Sequence, residues 1–121
     1  MDYNEAQKIA CELYGRVLLR DADQEGFAYT IDRLTNNIHP LEIAREMMLS
    51  EEFADKFLLN TSINEIARKI HVAAFGSHPT KESIKQNAMT IVAKGFQGFI
   101  SDIIARKIRN SNSRIPDLRE Y

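Results

Sequence analysis

Residues 62–76 read SINEIARKIHVAAFG, and this stretch decides the fold class. Ser62 with Glu65 three residues on forms a capping box, in which each residue satisfies an amide that the first helical turn leaves without a partner. Ile66, Ala67, Ile70 and Ala74 then recur three and four positions apart, a single apolar stripe on a helix. Gly76 provides the conformational freedom with which such a helix closes.

The same punctuation recurs on both sides. Upstream, Ala6, Ile9, Ala10, Leu13, Tyr14, Val17 and Leu18 predict a helix from about Asn4 to Leu19. Asp23 is placed to cap a second helix carrying Phe27, Ile31 and Leu34, and Asn36-Asn37 makes a turn. Pro40 takes the first position of a third helix, whose buried stripe is Ile43, Ala44, Met47 and Met48. Ser50 caps a short fourth helix with Phe53 and Phe57 facing inward, Glu51 and Glu52 lying at its positive end. Downstream, Pro79-Thr80 opens a helix with Ile84, Ala88, Ile91 and Val92 on its buried face. Gly95 stops it, and Phe96, Phe99, Ile100, Ile103 and Ile104 make a last stripe. From Asn110 the polar run and Pro116 are expected to form a flexible tail.

Two halves of this pattern resemble each other. Leu18-Leu19 before the acidic turn matches Ala74-Phe75 before Gly76, about 56 residues on, and each pair is followed by an amphipathic helix, a turn and another helix. The expectation is an all-α single bundle of six or seven short helices in two similar halves, with residues 1–109 as the domain and 110–121 as the tail. Its core is expected around Leu13, Val17, Phe27, Ile31, Ile66, Ile70, Ile91, Phe99 and Ile103.

A chain of 121 residues with 44% hydrophobic and 27% charged residues builds one core and has the composition of a globular domain. No apolar run approaches the ~20 residues of a membrane span. The single Cys11 excludes an internal disulfide and permits a reducing compartment, so a cytoplasmic location is expected, with Cys11 packed on the flank of the first helix. Net charge is −1, yet residues 1–60 carry six Lys and Arg against twelve Asp and Glu, and residues 61–121 carry ten against five. That division favours charged partners or head-to-tail contact between copies.

Chemistry-bearing motifs are few. Asp21, Asp23 and Glu25 before Gly26, with Asp32 at the twelfth place, resemble a calcium loop. Ala28 at the eighth place and the shorter Asp32 at the twelfth depart from that pattern, and a capped turn between helices explains the same residues. His39, His71 and His78 are too far apart for a local metal pair, and Cys11 has no neighbouring histidine to activate it. Lys94, Arg106, Lys107, Arg109, Arg114 and Arg119 make a basic end, which also suits a helix C-terminus; nucleic acid is not the expected partner.

Leu13-Tyr14-x-x-Val17-Leu18-x-Arg20-Asp21-x-Asp23-x-x-Gly26-x-x-Tyr29, followed by Ser50-Glu51-Glu52-Phe53, resembles the bacterial helical family known as domain of unknown function 4214. Phe75-Gly76-x-x-Pro79, Lys94-Gly95-Phe96 and Ile115-Pro116 are similar to the phycobilisome linker domain, although Ser77 stands where that family has arginine. The resemblance implies a helical module that joins other proteins without catalysis. We therefore expect no enzyme, no cofactor and no metal, and a protein partner or self-association. The contact surface is expected at Arg20, Asp21, Asp23, Gly26 and Tyr29 and at the basic Arg106, Lys107 and Arg109. The competing reading is a calcium- or glycan-binding helical module, with Asp21, Asp23, Glu25 and Asp32 as the calcium donors.

Overall fold

Caps written in the sequence open most of the helices. The computed structural model describes residues 1–110, which form six helices and no strand; the expected tail, with Arg114, Pro116 and Arg119, lies outside them. Helix α1 (Tyr3–Leu13) starts where the Asp2 carboxylate accepts the Glu5 N–H and continues into a π turn, Tyr14–Leu18, so the expected single helix changes pitch before it ends. Helix α2 (Gln24–Thr35) is capped by Asp23, and α3 (Pro40–Met48) begins with Pro40 as expected. Its cap is His39, whose ring nitrogen accepts the Leu41 N–H at 3.1 Å. Helix α4 (Glu51–Phe53) starts on Ser50 and widens into a second π turn, Ala54–Leu58.

Helix α5 (Ile63–Phe75) is the stretch quoted first. Ser62 accepts the Glu65 N–H at 3.3 Å, but the Glu65 carboxylate pairs with Arg68, so the box is used on one side. Helix α6 (Lys81–Asn110) is opened by Thr80, whose hydroxyl accepts the Ser83 N–H. It is broken at Gly95, with φ 77 and ψ 163, into arms 81–94 and 96–110. By length and composition α6 is long and apolar enough to cross a membrane, one window reaching a mean hydropathy of 1.2, a test that core helices also pass. Here it is a broken helix whose Phe99, Ile100 and Ile104 are buried in the core.

The two halves share their turns as well as their helices. Each first helix ends on a left-handed residue, Leu19 and Gly76. The next helix then starts on an oxygen cap, Asp23 and Thr80, and ends at a second positive-φ residue, Asn37 and Gly95. Each pair lies 57 or 58 residues apart. Within the halves, α1 packs along α2 and α5 along α6; between them, α3 packs on α5 and α6 and the first π turn touches α5.

One cluster of buried side chains unites all these elements, and Leu13, Val17, Ile31, Ile66, Ile70, Ile91 and Phe99 lie in it as expected. Phe27 and Ile103 are half-buried at its edge. Two expectations are corrected. Val92 is exposed, because Ile84, Ala88 and Ile91 turn inward and leave Val92 beside exposed Met89 on the outer side of the arm. Cys11 is exposed as well, since Ala6, Ala10 and Leu13 take the buried stripe of α1.

Candidate functional site

The Arg20–Gly26 turn is built to hold itself. Arg20 donates to both Glu52 oxygens at 2.8 and 3.1 Å and to the Asp21 carbonyl at 2.9 Å. Its guanidinium also stands 5.2 Å from the Tyr14 ring centre. Lys56 adds a second cation to Glu52 at 2.9 Å and donates to the Leu18 carbonyl at the end of the first π turn. The bidentate Arg20 contact and then Lys56 pull the Glu52 carboxyl down to about 2, because hydrogen bonds and nearby cations favour the charged form. Asp23 accepts the Gly26 N–H. Gly26 lies so close to the Tyr14 hydroxyl that an added Cβ has no room, and it would also approach Asp23 Oδ1 to 2.7 Å. Arg20, Asp23 and Gly26 thus have internal partners that fix the chain between α1, α2 and α4.

Of the turn's neighbours, Tyr29 faces outward, 62% exposed, between exposed Glu25 and Asp32 on one side of α2. Arg33 stands over its ring at 5.4 Å and pairs with Glu46. Asp21, Asp23, Glu25 and Asp32 are not gathered into a donor set: among the described residues no three His, Cys, Asp or Glu side chains converge as metal ligands. At the other end Arg106 and Arg109 are exposed near Asp102, whose carboxyl is held down first by Lys94. Lys107 lies 5.5 Å from the Phe75 ring centre.

The structure brings together a second group that spacing does not announce. A groove of about 270 Å³ opens between the first π turn, the second π turn and α5, lined by Arg16, Val17, Leu19, Phe53, Phe57, Arg68, Lys69, Val72 and Ala73. Its floor is apolar, with the Phe53 and Phe57 rings 5.0 Å apart. Three cations rim it. Arg16 donates to the Ala73 and Ala74 carbonyls at 3.0 and 2.8 Å, serving the negative end of the α5 dipole, and burial lowers its pKa. Arg68 pairs with Glu65, and the Lys69 ammonium lies 5.9 Å from the Phe57 ring centre. The groove is smaller than the ~300–1,000 Å³ of small-molecule sites, a size for one or two side chains.

Leu19 stands at the lip of this groove with φ 54 and ψ 40, and it is 67% exposed. The left-handed region costs a branched side chain roughly 1–2 kcal/mol. The matching position in the second half is Gly76, which suffers no such strain. Leu19 is thus an apolar side chain held out to water on a strained backbone at the edge of a pocket. The only trace of it in the sequence is a leucine where a helix stop favours glycine.

Half of the groove comes from the π turn and Phe53 to Phe57, all inside the segment whose motifs were read above. Residues 5–57 match the family model of a domain of unknown function, DUF4214. The DUF4214 match runs from α1 into the second π turn and so coincides with the first of the two structural halves. It leaves the likeness of Phe75-Gly76-x-x-Pro79 and Lys94-Gly95-Phe96 to phycobilisome linkers without a match. Neither the curated proteins nor the solved structures compared with the chain give a match.

Proposed function

We propose that this chain is a non-catalytic protein-interaction module that receives side chains of a partner in the groove between the two π turns and α5. The observation that carries the reading is Leu19, strained and exposed at the lip of an apolar pocket. Arg16 and Lys69 at that pocket, with Arg68 shared with Glu65 beside them, select a partner that presents a carboxylate beside an apolar or aromatic side chain. The sequence adds a second line of support, since neither a nucleophile–base pair nor a histidine ligand pair is legible in it.

A selection from a random-peptide display library on the folded chain tests this. The expected winners carry Asp or Glu within one turn of Phe, Tyr or Leu. Their affinity, read by fluorescence anisotropy, falls about tenfold or more in Lys69→Glu and in Val72→Glu. Winners indifferent to both substitutions overturn the groove, and a library that yields no winner overturns the interaction reading.

A further inference from the structure

We infer that the groove accepts the outward face of α2 from a second copy of this chain, so that copies join head to tail; this rests on the groove being an interaction site. The face consists of Glu25, Ala28, Tyr29 and Asp32, all exposed. The two carboxylates flank the ring at helical spacings of four and three residues, so all three share one side of the helix. Arg33 stacks on Tyr29 at 5.4 Å and so limits the freedom of the ring before it binds, which lowers the entropy lost on docking. Arg33 is itself neutralised by Glu46, which leaves Glu25 and Asp32 to set the charge of the face.

The groove is the complement of this face. Arg16, Arg68 and Lys69 stand around Phe53, Phe57, Leu19 and Val72; Arg68 is paired with Glu65, which leaves Arg16 and Lys69 to set the charge about an apolar socket sized for a side chain such as Tyr29. The opposite charges of the two chain halves, −6 in residues 1–60 and +5 in 61–121, draw the α2 face at longer range towards the α5 side of the groove. Face and groove are built from different residues, so each copy offers both halves of the contact, and the rotation between copies decides whether the assembly closes or runs on as an open chain. One helix face against one small groove buries less than the roughly 800 Å² per partner of a standard interface. The association is therefore weak, concentration-dependent and sensitive to salt.

Light scattering coupled to size exclusion, at rising protein concentration and at low and high salt, reads it directly. At low salt the mass climbs above the 13.9 kDa monomer, and high salt returns it there. Glu25→Lys/Asp32→Lys and Arg68→Glu/Lys69→Glu each stay monomeric alone, while an equal mixture regains the wild-type mass because each face meets a groove of opposite charge. Tyr29→Ser, at an exposed position, keeps the wild-type circular dichroism and loses association, which serves if a double variant fails to fold. A wild-type chain that stays at 13.9 kDa throughout, variants that still associate, or a mixture that does not recover overturns the inference. In the first case, selected peptides that still bind the groove leave the interaction reading standing, and their absence removes both.

Discussion

Leu19 and Gly26 show how two residues of one turn carry opposite demands. Leu19→Gly releases the left-handed strain and returns some chain entropy to the unfolded state. The net expectation is a gain of about 0.5–1 kcal/mol in urea unfolding together with weaker binding at the groove. Equal stability and unchanged binding would show that Leu19 is a bystander. Gly26 is needed because the Tyr14 hydroxyl and Asp23 crowd it. Gly26→Ala is expected to cost about 1–2 kcal/mol, and much of that loss returns in the Tyr14→Phe background, where the crowding oxygen is gone. A cost that is the same in both backgrounds would place the strain elsewhere. Asp23 was legible as a cap from its type and place. His39 was not, because its ring nitrogen caps only when neutral and correctly turned.

Elements are joined by fewer contacts than they contain, so single latches matter. Glu52 ties α4 to the turn after α1, and its folded pKa of about 2 lies below the ordinary 4.5. The latch therefore contributes fully above about pH 4.5 and loses its contribution as pH falls towards 2. Both partners are about one-third exposed, at 35% and 34%, so solvent screening reduces the effect to about 1 kcal/mol. Thermal unfolding between pH 7 and pH 3 should show Glu52→Gln less stable than wild type at neutral pH, with the gap closing in acid. A gap as wide at pH 3 as at pH 7 would mean the glutamine itself is at fault.

Gly95 makes the complementary point for α6. Its φ of 77 and ψ of 163 fall in a region essentially reserved for glycine, and no other side chain approaches it within 4 Å. Gly95→Ala is expected to cost about 1–3 kcal/mol through the backbone alone. Gly15→Ala, equally open but without positive φ, should be neutral or stabilising by up to about 1 kcal/mol. If the two substitutions behave alike in chemical denaturation, the break at Gly95 is not what separates the arms. The break was readable beforehand, as a glycine after a lysine at the end of an apolar stripe. The π turns at Tyr14–Leu18 and Ala54–Leu58 were not, because their hydrophobic spacing differs too little from that of an α-helix.

At the scale of the molecule, the question is whether the half that matches DUF4214 is a folding unit. Ile43, Ala44, Met47 and Met48 of α3 are buried, and α3 packs on both α5 and α6. A fragment of residues 1–60 loses that cover, so it is expected to show little helical circular dichroism, whereas the full chain unfolds in one cooperative transition. A fragment with native helicity and its own sharp transition would make that half autonomous.

Caps, stops and apolar periods determined by themselves that the chain is helical, that it has six or seven helices and where most of them begin, because these signals act within one or two turns. They also placed most of the core, since a helix has one stripe to bury. Tertiary structure alone decided that Arg20 turns in to Glu52 rather than out to a partner. It alone set Leu19, Phe57 and Lys69 around one groove. Those residues come from separate helices, and only packing fixes which of their side chains meet.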